Sequence, residues 1–82
     1  MSKNFYVYKF LDSSNTIVYV GKSKNINRRM HEHFVTHKHL PKECYKNVSK
    51  VEFCKFNTNT DMTIFEIYMI NKYNPKYNIK SK

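Results

Sequence analysis

The amino-acid sequence predicts a small α/β domain of the α+β type, a three-stranded antiparallel sheet flanked by helices. Aromatic and β-branched residues dominate two short segments, 5–10 and 17–21, which are separated by a polar stretch rich in turn-forming residues. A third segment of the same kind follows at 51–56. Between and after these segments lie two stretches in which apolar residues recur at helical spacing. These observations predict three strands and two helices.

The first two strands are expected to form an antiparallel hairpin. If Ser13 and Ser14 occupy its tip, Tyr8 lies directly opposite Tyr19 on the same face of the sheet. A one-residue slip of the register would break this pairing. The pair can be a simple aromatic cross-strand contact or part of a functional site, and the pattern alone leaves both interpretations open.

The only glycine of the chain, Gly21, is expected to end the second strand at the turn into a helix. A Cβ at this position would crowd either that turn or an approaching ligand. Ser23 or Asn25 can cap the helix, which is expected to end at 34 or 35.

The first helix is expected to carry a buried apolar stripe with two functional side chains beside it. Ile26, Met30 and Phe34 recur every four residues and predict the stripe. Arg29 and His33 are also four residues apart, and their tips are expected at the edge of the core. The face expected to point away from the core holds Lys24, Arg28 and Glu32.

The second half of the chain is expected to contain a loop, the third strand and a second helix. The segment 37–50 is basic and lacks a clear period, which predicts a loop with at most a short helical turn. Asn59 or Thr60 can cap a helix over 61–73. Its apolar side is expected to comprise Ile64, Ile67, Tyr68, Met69 and Ile70.

Glu66 lies in the middle of this apolar helix, so it is expected either to face solvent or to be held at a rim for a chemical reason. Asn74-Pro75 is expected to stop the helix, because proline cannot continue it and restricts the residue before it. The tail after the proline is expected to be short and extended. With 82 residues and no repeat or linker, residues 1–82 are expected to form a single domain.

The charge of the chain predicts a polyanionic partner. Fifteen Lys and Arg against six Asp and Glu give a formal net charge of +9 and a pI near 9.7. Nucleic acid is favoured over an anionic membrane surface, because neither helix has a strongly cationic amphipathic face. No apolar run approaches the roughly 18 residues of a transmembrane helix, and the N-terminus lacks a signal-peptide layout. A soluble, intracellular (cytoplasmic) protein without a membrane partner is therefore expected.

The spacing of cysteines and histidines argues against structural disulfides and a structural zinc site. Cys44 and Cys54 stand alone and are predicted to be reduced thiols. The four histidines lack a cysteine or carboxylate at the spacing of a structural zinc site.

The remaining polar constellation fits phosphodiester hydrolysis. Arg29 offers a permanently charged planar fork for a phosphate, and Glu66 offers oxygen to one hard divalent cation. A tyrosine with a pKa near 10 is a poor base by itself, but neighbouring cations make its phenolate more accessible.

These motifs resemble the GIY-YIG endonuclease family. YVY at 6–8 matches the family's first motif, with Tyr6 in place of the motif glycine, and YVG at 19–21 matches the second. The run KSKN at 22–25 is similar to the excision-repair (UvrC) branch, whereas His33 matches the homing-endonuclease branch. Arg29 and Glu66 fall on the family's helix arginine and metal-binding glutamate, and the distal segment ends in PKYN at 75–78, similar to the family pattern. The resemblance covers about residues 5–79.

The resemblance implies roles for the central residues. Glu66 is the sole protein ligand of one Mg²⁺ or Mn²⁺ ion, and Arg29 clamps the scissile phosphate. Tyr8 orients or deprotonates the attacking water, and the hydroxyl of Tyr19 supports it. His33 assists proton transfer or donates a hydrogen bond to phosphate.

It also implies a surrounding set of phosphate-binding and structural residues. Lys22 is expected to contact the phosphate near the site, and Gly21 and Asn78 are expected to be structural, with Asn78 holding the tail near the site. Further phosphate or DNA contacts are assigned to Lys24, Arg28 and His39.

The function implied is that of a divalent-metal-dependent endonuclease that cuts one DNA strand per active site with weak intrinsic sequence preference. Family members usually carry an additional DNA-binding module, and this chain shows none. A second copy, an accessory DNA-binding protein, or recognition of branched, nicked or double-stranded DNA by shape is therefore expected. The alternative is a non-catalytic nucleic-acid-binding protein or subunit that retains the nuclease fold.

Overall fold

The computed structural model describes residues 4–78, which form one antiparallel sheet with helices on both of its faces. Within these residues no helix is long and apolar enough to cross a membrane. The strand order is β2-β1-β3, so β1 is central and β2 and β3 are edges. In chain order the elements are β1 (Phe5–Leu11), β2 (Ile17–Ser23), α1 (Ile26–Phe34), α2 (Lys42–Asn47), β3 (Lys50–Phe56), α3 (Asn59–Tyr73) and a 3₁₀ turn (Lys76–Asn78). The predicted fold class is confirmed.

The central strand buries both of its faces, which explains its nearly continuous apolar sequence. Val7 is 1% exposed and packs with residues of α3, whereas Tyr8 and Phe10 are fully buried on the opposite face against α1 and α2. The core therefore has two layers, separated by the sheet. Because tyrosine and phenylalanine rings bury large areas, a few positions suffice to fill each layer.

The hairpin register differs from the predicted one. Tyr8 lies opposite Gly21, and Tyr19 lies opposite Phe10, so the expected Tyr8–Tyr19 pairing is wrong by two residues. A shift of two keeps both tyrosines on the same face of the sheet. They are diagonal neighbours, with ring centroids 6.1 Å apart.

The turn between the strands causes this shift. The side chain of Asp12 accepts hydrogen bonds from the backbone N–H groups of Ser14 and Thr16. Asn15 takes a left-handed conformation with φ of 65°, which asparagine tolerates better than most residues. An irregularity between Phe10 and Leu11 then offsets the pairing of the rest of the hairpin.

Helix α1 has the predicted limits but buries a different residue. Asn25 caps it, because its Oδ1 accepts a hydrogen bond from the backbone N of Arg28 at 3.1 Å. His33, expected at the edge of the core, is fully buried, and Phe34, expected in the stripe, is 38% exposed. The helix is therefore turned so that His33 points into the aromatic layer.

The segment after α1 contains the short helix α2, which agrees with the expected helical turn. Cys44 of this helix is fully buried, whereas Cys54 is exposed on β3, and both are free thiols. α2 thus completes the layer that covers Tyr8 and Phe10.

Helix α3 begins earlier than predicted. Its N-cap is Thr58, whose hydroxyl accepts from the backbone N of Asp61 at 3.0 Å, so the expected caps Asn59 and Thr60 are wrong. The predicted stop is confirmed at Asn74, which adopts a left-handed conformation with φ of 46°. The tail then forms the 3₁₀ turn rather than an extended segment.

The buried face of α3 also differs from the expected one. Met62 and Met69 point into the core, whereas Ile64, Ile67 and Tyr68 are 51–60% exposed. The helix has apolar residues on all of its faces, so their spacing alone could not predict which face contacts the sheet. The face that contacts the sheet leaves Glu66 at its border.

Candidate active site

The predicted site residues gather around β2, the edge strand, where side chains from both faces of the sheet meet. A groove of about 420 Å³ is lined by Tyr19, His39, Glu66 and Asn78, among others. A second groove of about 380 Å³ is lined by Lys22, Lys24, Arg28 and Arg29, among others. Lys22 connects the two, because its Nζ lies 3.9 Å from Glu66 Oε1.

Asn78 closes the free edge of β2. Its Oδ1 accepts a hydrogen bond from the backbone N of Val20 at 2.7 Å, and its Nδ2 donates to the carbonyl of the same residue at 2.8 Å. One side-chain amide therefore satisfies both backbone groups that a further strand would have paired. Buried Pro75 precedes this turn, and the two bonds hold the turn at the groove.

Gly21 makes room for the ring of Tyr8. A Cβ at Gly21 would lie 2.5 Å from both Cζ and Oη of Tyr8. Gly21 also lies within β2, which continues to Ser23, so the expected strand end at the glycine is wrong. The packing of a cross-strand neighbour therefore requires a glycine at this position, whereas no turn follows it directly.

Tyr8 is enclosed in the protein. It is fully buried, and its Oη lies 2.8 Å from His33 Nε2. Burial, and secondly the neighbouring Tyr19, raise the pKa of Tyr8 far above its usual range, although Arg29 acts in the opposite direction. A phenol in this position cannot contact bulk water, so the expectation that Tyr8 faces the attacking water needs revision.

His33, the hydrogen-bonding partner of Tyr8, is a neutral residue. Burial lowers its pKa to about 4, and the neighbouring His39 and Arg29 contribute in the same direction. Its Nδ1 lies 2.7 Å from Oη of Tyr45 on α2. At neutral pH His33 is thus an uncharged hydrogen-bonding partner of two tyrosines.

Tyr19, unlike Tyr8, lines the groove that contains Glu66. Burial raises the pKa of Tyr19, and the charge of Glu66 raises it further. The hydrogen bond from Tyr8 and the charge of Arg29 lower the same pKa. These interactions, with the influence of Arg29 on Tyr8, bring the four predicted residues Tyr8, Tyr19, Arg29 and Glu66 into one electrostatic cluster.

Glu32 belongs to the site although its sequence position suggested a solvent-facing side chain. Its Oε1 lies 2.7 Å from His39 Nε2 and 3.4 Å from Arg29 Nε. The hydrogen bond to His39, followed by the charges of His39, Arg28 and Arg29, lowers the pKa of Glu32 despite some desolvation. The sequence signal that could have predicted this contact is the spacing of Glu32, three residues after Arg29 on the same helix.

Arg29 has an unsatisfied donor. Its Nε is buried and makes no hydrogen bond within residues 4–78, because the contact to Glu32 lacks hydrogen-bond geometry. Buried donors without partners are rare, and the Glu32 carboxylate, 3.4 Å away, compensates the charge of this one. Lys24 and Arg28 are exposed at the same groove.

Glu66 has the properties of a ligand for a hydrated cation. Its side chain is 18% exposed, and within the described residues its carboxylate makes an ion pair with Lys22 but no hydrogen bond. Residues 4–78 contain no group of three or more His, Cys, Asp or Glu side chains able to enclose a metal. One carboxylate with free oxygens at an open groove suits Mg²⁺, which keeps several of its waters.

Glu66 and Tyr19 at one groove, with Arg29 at the adjoining groove, form the arrangement expected of a phosphodiester-cleaving type of domain. The chain belongs to the UvrC-like GIY-YIG domain family, whose model matches residues 6–79. It is 38% identical over 79 residues to UvrABC system protein C of Methanococcus maripaludis and 37% identical to that of Bacteroides thetaiotaomicron. The matches cover 94% and 93% of this chain but only 15% and 13% of those relatives. The family predicted from the sequence is confirmed.

Solved structures confirm the fold. The GIY-YIG N-terminal endonuclease domain of UvrC from Thermotoga maritima, bound to its catalytic magnesium, superposes with a TM-score of 0.82 at 23% identity. The match covers 95% of this chain and 86% of that one. A point mutant of the same domain, also bound to its catalytic cation, matches with a TM-score of 0.81. The chain therefore has the fold of a GIY-YIG endonuclease domain, as predicted.

Proposed function

We propose that this domain is a divalent-metal-dependent endonuclease that hydrolyses phosphodiester bonds in DNA, one strand per active site. The observation that carries the proposal is the meeting of Tyr19, Arg29 and Glu66 at the edge of β2. Positioning and charge stabilisation are what hydrolysis of a phosphodiester requires of a protein. The endonuclease domain of UvrC from Thermotoga maritima, with its catalytic magnesium, supports the same chemistry.

Glu66 is the proposed ligand of one Mg²⁺ or Mn²⁺ ion. Its carboxylate has no competing hydrogen bond within the described residues, and Lys22 lies beside it at 3.9 Å. When bound, the ion neutralises phosphate charge and lowers the pKa of a coordinated water. Lys22 adds a positive charge at the same place and, through its bond to Thr63 Oγ1 at 3.2 Å, is held towards the groove.

Arg29 is the proposed phosphate clamp. Its Nε is buried, but the side chain as a whole is 30% exposed and lines the groove with Lys24 and Arg28, so the exposed part of the guanidinium can contact a phosphate oxygen. Glu32 holds the guanidinium from one side, which reduces the side-chain entropy lost on binding. His39 binds Glu32 at 2.7 Å, and we assign it the support of this carboxylate rather than a direct phosphate contact.

Tyr19 is the proposed group that faces the attacking water. It lines the groove beside Glu66, whereas Tyr8 and His33 lie fully buried behind it. Tyr8 and His33 then orient the hydroxyl of Tyr19 from behind. These roles exchange those of the two tyrosines expected from the family resemblance.

Lys24 and Arg28 are proposed to bind the DNA backbone next to the scissile phosphate. Both are exposed and line the groove that contains Arg29. Contacts of this type position DNA without reading its bases, which accounts for weak sequence preference. The relatives are named as one component of a UvrABC system, and we propose that a protein partner or second copy directs this domain to nicked, branched or duplex DNA inside the cell.

The decisive test removes the carboxylate of Glu66. Glu66→Gln keeps the size of the side chain, and Glu43→Gln on the exposed start of α2 is the matched control. Labelled nicked, branched, single-stranded and plain duplex DNA are incubated with each protein in Mg²⁺ or EDTA. We expect cleavage by the wild type and the control in Mg²⁺ only, and a loss of at least about 100-fold for Glu66→Gln.

Two outcomes of this assay contradict the proposal. Cleavage in EDTA, or an unaffected Glu66→Gln protein, rules out the proposed metal site. Binding of DNA without cleavage under every condition supports the alternative, a nucleic-acid-binding subunit that retains the nuclease fold.

A further inference from the structure

Tyr45, a residue of α2, contacts His33 on the side of the imidazole that faces away from Tyr8. Its Oη lies 2.7 Å from His33 Nδ1 and accepts a hydrogen bond from the backbone N of Leu40 at 3.2 Å. The other ring nitrogen of His33, Nε2, lies 2.8 Å from Tyr8 Oη. Leu40, Tyr45, His33 and Tyr8 therefore form one continuous chain of hydrogen bonds that ends at the site.

The backbone amide of Leu40 sets the direction of this chain. An N–H group can only donate, so the oxygen of Tyr45 accepts there and has its own proton to give to Nδ1 of His33. The opposite direction would need another acceptor for the Tyr45 proton. Within residues 4–78, the other groups that hydrogen-bond with that hydroxyl are the backbone N–H donors of Leu40 and His39, so His33 Nδ1 is the acceptor that the protein provides for its proton.

The protonation of His33 follows from the same geometry. His33 is fully buried and uncharged at neutral pH, since its pKa is lowered to about 4. A neutral imidazole that accepts at Nδ1 must carry its proton on Nε2. Nε2–H then donates to Tyr8 Oη, and the proton of Tyr8 is left for Tyr19, whose side chain also hydrogen-bonds with Tyr8.

Packing holds Tyr45 in this orientation. The ring of His37 stacks on it at 4.9 Å between centroids and 25° between planes. The ring of Phe34 contacts it edge-on at 5.7 Å. The hydroxyl of Tyr45 therefore has little freedom to leave His33.

We propose that Tyr45 is a positioning residue that holds His33 in the tautomer protonated on Nε2 and so directs the hydroxyl proton of Tyr8 towards Tyr19. Without the Tyr45 hydroxyl, His33 can carry its proton on Nδ1 and accept the Tyr8 proton at Nε2. The hydroxyl of Tyr8 would then turn away from Tyr19. The effect on cleavage rests on the proposed nuclease function, whereas the tautomer of His33 does not.

The tautomer can be measured directly by ¹⁵N NMR of the imidazole nitrogens of His33 in the uniformly labelled chain at pH 7. In the wild type we expect a protonated Nε2 and an unprotonated Nδ1. In Tyr45→Phe we expect the proton to move, in part or fully, to Nδ1. Tyr73→Phe, which removes the hydroxyl of an exposed tyrosine, should leave His33 unchanged.

A wild-type His33 protonated on Nδ1 overturns the proposal, and this measurement requires no variant to fold. An unchanged tautomer in folded Tyr45→Phe overturns it as well. In single-turnover cleavage, Tyr45→Phe should slow the reaction about tenfold, the rate equivalent of one hydrogen bond, with DNA affinity unchanged. A wild-type rate in this variant contradicts the role in cleavage. A chain that cuts no DNA overturns the proposed function and leaves the tautomer result standing.

Discussion

Single residues of this protein have functions that depend on a neighbour across the sheet. Gly21 was predicted as important, yet the reason is the Tyr8 ring on the adjacent strand. His33 was predicted as a site residue at the edge of the core, yet it lies in a fully buried position. Residue type and position therefore indicated importance, and only the neighbours explained it.

Gly21→Ala should destabilise the fold by about 1–3 kcal/mol, because the new Cβ overpacks against Tyr8. Urea unfolding provides the free energy of unfolding, and a double-mutant cycle with Tyr8→Ala tests the cause. In the Tyr8→Ala background the ring is absent, so the alanine should cost little. An equal cost in both backgrounds would show that the glycine is required for another reason.

His33 should make the fold less stable as the pH falls. The unfolded histidine binds a proton near its ordinary pKa of about 6.5, whereas the folded one does so only near 4. Between these values the unfolded state holds more protons, so the free energy of unfolding decreases with falling pH. From pH 7.5 to pH 5 we expect a loss of about 2 kcal/mol from this group.

The control for this dependence is a comparison of two histidine variants in urea at both pH values. His33→Gln should lose this part of the pH dependence, whereas His31→Gln, altered at an exposed site, should retain it. Identical curves for the wild type and His33→Gln would show that His33 is not buried in its neutral form.

Elements of the structure are held by caps and edge contacts that periodicity does not reveal. β2 is an edge strand, and the amide of Asn78 pairs with the backbone of Val20 in place of a neighbouring strand. Helix α3 begins at a cap one residue before the predicted candidates. These contacts determine where Glu66 and the 3₁₀ turn meet the groove.

Thr58→Ala should destabilise the chain by about 1 kcal/mol, because the backbone N of Asp61 loses the hydroxyl of its N-cap. Thr60→Ala is the matched control, since Thr60 is exposed inside the first turn of α3. This control should be neutral or slightly stabilising, because alanine favours helix. Thermal or urea unfolding measures the free energy of unfolding of both variants. A larger loss for Thr60→Ala would indicate that the helix begins at the cap predicted from the sequence.

At the scale of the whole molecule, charge dominates. The chain carries a formal net charge of +9, and the groove beside Arg29 presents Lys22, Lys24 and Arg28. The six acidic residues can neutralise only some of the fifteen Lys and Arg side chains. Glu52, for example, forms ion pairs with Lys9 and Lys50. The excess charge favours nucleic-acid binding by release of counterions.

DNA affinity should therefore fall steeply with salt, and the logarithm of the affinity should be linear in the logarithm of the salt concentration. Lys24→Gln should reduce the slope by about 1, because one phosphate contact is lost. Lys55→Gln, on the opposite edge strand β3 and exposed, should leave the slope unchanged. Fluorescence anisotropy over a salt series measures these slopes, and equal effects of both variants would argue against a defined DNA path at the groove.

Much of this protein follows from local pattern. Alternation and helical spacing predicted the three strands, α1 and the end of α3, since these depend on residues close in sequence. Ordered motifs predicted the family and assigned Arg29 and Glu66 to the proposed site, and composition predicted the positive charge. The burial of individual helix faces was predicted less well, because α3 has apolar residues on all sides.

Tertiary structure decided what depends on distant residues. The turn at Asp12 and Asn15 shifted the register, so that Tyr8 packs over Gly21 and not beside Tyr19. Long-range packing buried His33, and hydrogen bonds joined it to Tyr45. Such contacts join parts of the chain that no sequence period relates, because their geometry is set by how the layers pack together.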